Sequence, residues 1–378
     1  MNMFVLSIKS LHNRKVTTMM TIASIALSVT LLLGVERIRK EARASFAHTV
    51  SGTDLIVGAR SGPVQLLLYA VFRIGNATNN ISWQSYREIA RNPHIKWTIP
   101  ISLGDSHQGY RVMGTNSDYF KHFRYAGGRS LAMAVGRKFE GVFDAVLGAD
   151  VARTLNYGLD DPIVIAHGAG KVSFIKHDDK PFKVVGILKQ TGTPVDQTIH
   201  IRLEGMTAIH VDWKDGAPIP GQSISAEKVL NMDLTPKAIT AFLVGLKSRM
   251  AAFGVQRHVN TFAQEPLLAI LPGVALQELW DLIGVAEKAL LVVSVFVVAV
   301  GLSGMLIALM TSLNERRREM AILRSVGARP RHVFSLIVGE SAILTLAGVV
   351  TGVGLLYALL IIGQPLILSK LGIFIVIG

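Results

Sequence analysis

Eleven histidines are the residues of this sequence best able to do chemistry, and most of them fall between His48 and His258. None stands four residues from another, the spacing that would put two imidazoles on one helical face as a ligand pair. Two local combinations offer mixed nitrogen and oxygen donors: His177 with Asp178 and Asp179, and His210 with Asp212. The remaining histidines read as scattered surface groups. The loop HGAGKVS around Lys171 suggests a phosphate cradle, but Ile165 and Val172 stand where a P-loop needs a glycine and a hydroxyl. HExxH, GxSxG and CxxC are all missing, and the chain has no cysteine. No catalytic, cofactor-binding or metal-ligating set is therefore expected, and the chain does not read as an enzyme.

The elements that hold these residues are set by hydropathy. Half the residues are hydrophobic, and they are concentrated in long runs. Val16 to Val35 is uncharged over about 20 residues, enough for a helix to cross roughly 30 Å of hydrocarbon. Leu290 to Met310 and Val333 to Gly363 are two further runs, the last holding one carboxylate, Glu340. A cleaved signal peptide is the rival reading of the first run, since Ala42-Arg43-Ala44 has a small-x-small form. The charged stretch ERIRKE separates that triplet from the apolar core, and the core is too long, so an uncleaved span is expected.

Arginine and lysine orient these spans. Lys9, Arg14 and Lys15 precede the first, and Arg316, Arg317, Arg318, Arg324, Arg329 and Arg331 crowd the loop between the second and third, so both flanks face the cytoplasm. The segment from Glu36 to Gly284 then lies outside. The net charge of +13 is explained by these loop positions, without nucleic acid.

Glu36 to Ala47 continues the first span as a stalk, with Val35, Ile38, Ala42 and Phe46 on one face. Val274 to Gly284 mirrors it with Leu276, Leu279, Trp280 and Ile283. Between the stalks, a helix capped at Ser82 is followed by a strand from Ile95 to Ile101. ADVARTLNYG reads as a helix ended by Gly158, and KVSFI, FKVVGIL, IHIRL, TAIHV and AITAFLVGL read as strands. SRMAAFGVQRHVN is a helix, and GAPIPGQSIS (216–225) is a linker between two small lobes. The segment 64–75 reads as a packed helix or, alternatively, as an interfacial segment touching lipid. Glu340 is expected near the cytoplasmic headgroups, tied to a serine or arginine of a neighbouring helix.

The loop ERRREMAILRSVGARPRHV offers Met320, Ile322, Leu323 and Val326 for packing and Arg316, Arg317, Glu319 and Arg324 for a polar partner, with Gly327 and Pro330 breaking the chain before the third span. A plain positive anchor needs neither Glu315 nor Glu319. This loop and the glycine-spaced span after it closely resemble the FtsX-like ABC transporter permeases of the MacB-type, or mechanotransmission, class, whose pattern is ERRxEIxxLRxxGA. VMGTNSDYF, GRSL, AVLGADVARTL and FKVVGILKQTGTPVDQTIHI resemble that family's periplasmic domain.

The resemblance implies an α-helical membrane protein with a large α+β periplasmic domain inserted between spans 1 and 2, in the bacterial inner membrane. Its parts would be a cytoplasmic N-terminal amphipathic helix (1–15), span 1 (16–35), the periplasmic domain with its stalks (36–284) and span 2 (289–312). A coupling loop (313–332), span 3 (333–363) and a periplasmic-side segment (364–378) follow, where the family has a fourth span. Glu315, Arg316, Arg317, Glu319, Arg324, Gly327 and Ala328 would meet a separate ABC ATPase, which binds the ATP and Mg; this chain would carry no cofactor. A second permease copy, membrane lipid and periplasmic or outer-membrane proteins are the other implied partners. The alternative within the same resemblance is a regulator that activates a periplasmic hydrolase.

The topology is testable because the chain lacks cysteine. In intact cells Ser225→Cys should react with an impermeant thiol reagent and Ser325→Cys should be protected; the reverse labelling would invert the assignment.

Overall fold

The computed structural model describes residues 15–49, 51–167, 179–214, 217–218, 224–315, 321, 325 and 329–371. The expected N-terminal helix before Lys15, the strand KVSFI and most of the loop 313–332 lie outside the described residues. Three helices are long and apolar enough to cross a membrane, within Lys15–Arg37, Pro272–Gly304 and Pro330–Gln364. Each belongs to a longer uninterrupted helix: α1 (Lys15–Thr49), α8 (Pro272–Glu315) and α9 (Pro330–Leu371). At about 1.5 Å per residue, every one of them exceeds the roughly 30 Å hydrocarbon core. The chain forms two compact units, one holding residues 15–42 and 283–367 and the other residues 43–282.

In the first unit the helices meet through small and hydroxylated residues. Gly348 lies against Ile22 and Ile25, Gly352 against Ala26 and Val29, and Gly34 against Leu356, so α1 and α9 run parallel. A Cβ on Gly352 would stand 2.7 Å from the Ala26 carbonyl oxygen. The buried Thr30 hydroxyl donates to the Ala26 carbonyl at 2.7 Å and lies 2.8 Å from the Gly352 carbonyl. Ser28 Oγ lies 2.9 Å from the Ser24 carbonyl and 3.3 Å from that of Val297, while Gly301 faces Ser24 and Ser28, which sets α8 antiparallel to α1. Lipid tails are as apolar as leucine, so helices associate by close packing at small residues of this kind.

The second unit is built on a mixed sheet with eleven strands among the described residues. They are β1 (Leu55–Ala59), β2 (Ile95–His107), β3 (Tyr110–Thr115), β4 (Met133–Gly136), β5 (Asp144–Leu147) and β6 (Pro162–Ile163). The rest are β7 (Ala166–His167), β8 (Phe182–Leu188), β9 (Thr198–Arg202), β10 (Ala241–Leu246) and β11 (Leu267–Ile270). The path runs β11-β1-β10-β2-β3-β9-β5-β8-β4, with β7 on β2 and β6 on β8. The β3–β9 and β5–β8 pairings are parallel.

Helices α2 (Pro63–Leu67), α3 (Trp83–Ala90), α4 (Asp118–His122), α5 (Ala149–Leu155), α6 (Leu203–Ala208) and α7 (Ala252–Asn260) cover both faces. Alternation sends Ile56 to a cluster with Leu66, Tyr69, Ile99 and Met113, and sends Leu55 and Val57 to another with Ile89, Phe242 and Val255. Val146 faces the first cluster, while Ala145 and Leu147 join Val151, Ile199 and Met206 in a third. Burial on both faces is why LIVGA and AFLVGL read as continuous apolar runs.

Several expectations are corrected. The linker 216–225 does not divide the domain into lobes: β10, after it, pairs with β1 and β2, which precede it. TAIHV is not a strand, because Leu203, Met206 and Ile209 are buried at helical spacing and α6 runs to Ala208 before a turn. The helix from Ala149 ends two residues earlier than expected, at Asn156 in the left-handed conformation (φ 55°) rather than at Gly158. The strand from Ile95 continues past Ile101 to His107.

The segment 64–75 takes the packed reading. One π-helical turn, Leu68–Phe72, follows α2, and Leu66, Leu67, Tyr69, Ala70, Val71 and Phe72 are all buried. Ser82 caps α3 as expected, accepting from the Ser85 amide at 3.1 Å. On the second stalk Ala275 and Leu279 are buried and Leu276 and Trp280 half-buried, whereas Ile283 is exposed.

Gly348 and Gly352 form a GxxxG pair on the α1-facing side of α9. Gly352→Val should separate the helices and lower the thermal midpoint of the detergent-solubilised chain. Gly354→Val, whose Cβ meets nothing within 4 Å, should leave it near wild type. Equal midpoints would remove the close approach as a stabilising feature.

Candidate functional site

Two groups of polar residues stand out, one in each unit. In the helical unit, α8 ends at Glu315 and α9 begins with Pro330 in its first turn, where a missing amide hydrogen costs nothing. The Arg329 amide donates to His332 Nδ1 at 3.2 Å, closing that turn. Arg316, Arg317, Glu319, Arg324, Gly327 and Ala328 lie outside the described residues, so the structure describes no geometry for the coupling surface expected there. Glu340 is 4% exposed, so it faces the protein interior, as an ionisable group in a span is expected to do. Gly348 sits against Ile22 and Ile25, and two turns back on the parallel helices bring Glu340 level with the start of α1, Lys15 to Thr17. Beyond the apolar run of α1, Arg39 Nη2 donates to Glu36 at 2.8 Å and Nη1 lies 3.9 Å from Glu287 on α8, an ion pair between the two stalk helices.

In the outer unit, histidines and acids from distant parts of the sequence converge. Antiparallel pairing of β2 and β7 sets His167 directly opposite Asp105, and cross-strand partners of this kind are near enough to interact. His167 Nδ1 lies 3.0 Å from Asp105 Oδ1. The turn after α6 then delivers His210, whose Nε2 stands 3.4 Å from His167 Nδ1 and 3.7 Å from Asp105 Oδ2. His210 Nδ1 lies 2.9 Å from the Met206 carbonyl. Trp213 borders both rings, at centroid distances of 5.0 and 5.1 Å. Asp105 is buried, while the His167 and His210 side chains are 42% and 27% exposed. The hydrogen bond from His167 to Asp105 raises the imidazole pKa above its ordinary value. Among the described residues, Asp105, His167 and His210 are the group able to hold a metal ion.

The local pairings read from sequence are not the ones formed. Asp212 turns from His210 to the buried Lys180, whose Nζ donates to it at 2.8 Å and to Asp179 at 2.7 Å. His177 and Asp178 lie outside the described residues. Two further histidines are interior and not scattered on a surface: His107, between the Val164 carbonyl and the Tyr157 hydroxyl, and His200, which is fully buried. No spacing rule finds the Asp105 group, because its members come from three elements; the one local signal is the acid and histidine near the end of strand β2.

Comparison with family profiles agrees with the architecture. A family profile described as MacB-like periplasmic core domain matches residues 18–229, and one described as FtsX-like permease C-terminal matches residues 291–377. The macrolide export ATP-binding/permease protein MacB of Bdellovibrio bacteriovorus is 26% identical over 248 residues, covering 60% of this chain and 31% of that protein. The chain thus spans about a third of that relative's length. Among solved structures, the periplasmic region of MacB from Actinobacillus actinomycetemcomitans aligns at TM-score 0.37 and 10% identity, over 61% of this chain and 94% of that one. The extracellular domain of the noncanonic ABC-type transporter YknZ from Gram-positive bacteria aligns at TM-score 0.33 and 12% identity, over 58% and 99%.

The buried His200 makes the outer unit sensitive to acid. Its Nδ1 donates to the Val146 carbonyl at 3.2 Å, its Nε2 has no hydrogen-bond partner, and its ring stacks on Tyr119. Burial, with the nearby Arg73 charge adding to it, lowers its pKa from 6.5 to about 3. A folded-state pKa below the unfolded value means that the neutral ring's stabilisation is complete above pH 6.5 and is lost as pH falls toward 3. Taken from about pH 7 to about pH 5, wild type should lose on the order of 2 kcal/mol relative to His200→Phe. Thermal midpoints of the two proteins across that range measure the difference, and the other titrating groups cancel between them. A constant gap would contradict a buried neutral imidazole.

Proposed function

We propose a function that proceeds from family membership: the chain belongs to the FtsX-like permeases that carry a MacB-like periplasmic core domain, a membrane-embedded family of ABC transporters. In this reading the chain is the non-catalytic permease subunit. A separate ABC ATPase binds ATP and Mg, and its closure displaces the cytoplasmic loop of the permease. The displacement travels outward to the periplasmic domain and drives export, or periplasmic and outer-membrane handling, of a substrate. Two permease copies would pair with two ATPases in the bacterial inner membrane.

The observation that carries the reading is helix continuity. Helix α1 (Lys15–Thr49) passes from its apolar run into the residues that enter the outer domain without a break, and α8 (Pro272–Glu315) does the same in the other direction. In this reading a push at the Glu315 end is passed along a helix that is continuous over 44 residues. The Arg39–Glu287 ion pair links the two helices just beyond the apolar run of α1. Hydroxyl and glycine contacts hold α1 to α8 and α9 through the apolar stretch. The domain between residues 36 and 284 supplies a large surface for substrate work, which favours transport over a simple switch of a hydrolase.

The coupling surface is tested by reversing charge in the loop. Glu319→Lys with Arg324→Glu should reduce copurification of the partner ATPase and the permease-dependent part of its turnover by about tenfold, the loss expected for roughly 1.4 kcal/mol of interface energy. Insertion should persist, because Arg316, Arg317, Arg318, Arg329 and Arg331 still hold the loop inside. Wild-type binding and turnover in the double variant would leave the loop as an anchor only.

A further inference from the structure

We propose that Asp105, His167 and His210 form a binding site for a divalent transition-metal ion of the zinc class on the outer face of this chain. The proposal stands on the geometry of those three side chains and does not depend on the permease reading.

The donor set is the first reason. Two imidazoles and one carboxylate suit Zn2+ and its neighbours among the first-row metals, and they suit Ca2+ or Mg2+ poorly, because those ions prefer an all-oxygen shell. The spacing is the second. Zinc binds nitrogen and oxygen at about 2.0–2.2 Å, and a tetrahedron with those bond lengths has edges of about 3.3–3.6 Å. His167 Nδ1 stands 3.0 Å from Asp105 Oδ1 and 3.4 Å from His210 Nε2, which stands 3.7 Å from Asp105 Oδ2. With one ligand atom taken from each residue, all three lie within 4.8 Å of one another, so a modest contraction of the side chains would let them share one ion.

The third reason is an unsatisfied acceptor. Asp105 is 1% exposed, and its Oδ2 is buried with no hydrogen-bond partner. That oxygen points toward His210 Nε2 across 3.7 Å, too far for a hydrogen bond and the right separation for two ligands of one ion. A buried carboxylate oxygen left in this state is costly, and a cation between it and the two rings removes the cost.

The fourth reason is the way the His210 ring is held. A carbonyl only accepts, so the 2.9 Å contact with the Met206 carbonyl puts the proton of the neutral ring on Nδ1. Nε2 then presents its lone pair to the cluster. Ligand histidines are commonly oriented by such a backbone hydrogen bond on the other nitrogen. For His167, binding replaces the Nδ1 proton that bridges to Asp105 with the metal, and that proton passes to Nε2 or to solvent.

Three protein ligands leave the fourth position of a tetrahedral ion to water or to a small donor group. The partial exposure of both histidine side chains leaves that position reachable from solvent. Because the ligands come from β2, β7 and the turn after α6, the ion would also tie three segments of the outer domain together.

The experiment uses the full chain in detergent, carrying a tag without histidine and treated with a chelator. Zn2+ alone is titrated by calorimetry, and Co2+ is used as a spectroscopic substitute that reports four-coordinate geometry by its visible absorption. Wild type should bind one equivalent that His258→Gln retains. His167→Gln and His210→Gln should each weaken that equivalent by at least about tenfold. Metal-free thermal midpoints establish that each variant is folded. These two are chosen over Asp105→Asn, since Asp105 is buried and its loss could unfold the strand. Absence of a Zn2+ equivalent in wild type overturns the proposal, as does its survival at unchanged affinity in either folded histidine variant.

Discussion

Inside hydrocarbon a backbone amide has no water to bond, so each crossing must satisfy its own peptide groups, and an unbroken helix does so within one segment. The rest of this structure depends on that constraint. It makes α1, α8 and α9 continuous, and it takes away the hydrophobic force that would hold them together in water. What remains is close approach, and the helices achieve it with glycines at 348 and 352 against Ile25, Ala26 and Val29. The Thr30 and Ser28 hydroxyls, which must find acceptors there, find backbone carbonyls on their own helix, and carbonyls of α9 and α8 lie within reach. Close-packed, continuous helices through the apolar stretch are the consequence.

The outer domain solves a different problem. Water satisfies its surface, so it can afford a two-sided sheet with polar groups buried in it. Lys180 lies between Asp179 and Asp212, an arrangement in which each charge offsets the cost of burying the other. Asp196, pushed up to about 6 by burial, accepts from the Thr191 and Gly192 amides and from the Thr191 hydroxyl. His200 is kept neutral in the same interior. Structural packing accounts for each of these residues. Asp105 shares with Asp212 and His200 a buried atom that has no hydrogen-bond partner, and it differs from them in that two imidazoles face its carboxylate.

Sequence by itself determined the three apolar helices, because a run of uncharged residues of that length has few other fates. It determined the Ser82 cap, since a serine accepting from an amide three residues on is a local event. It determined strands such as FKVVGIL and AFLVGL, and the family pattern in ERRREMAILRSVGA. The packed state of 64–75 was also legible, as a segment too short to cross and too apolar to stay wet.

Tertiary structure alone decided which strands lie beside which. The chain on both sides of 216–225 feeds one sheet, and no linker composition reveals that β10 will insert between β1 and β2. It also decided the end of α5 at Asn156, where the left-handed turn arrived before the glycine, and the helical state of Leu203–Ala208, where burial of Leu203 and Met206 outweighed a short alternation. The joining of Asp105, His167 and His210 belongs to the same class. Their separations in sequence are 62 and 43 residues, and only the pairing of β7 on β2 and the turn after α6 bring them within ligand distance. Sequence periodicity reports which face a residue occupies on its own element, and side-chain partnership between elements is set by register, which is a property of the assembled sheet.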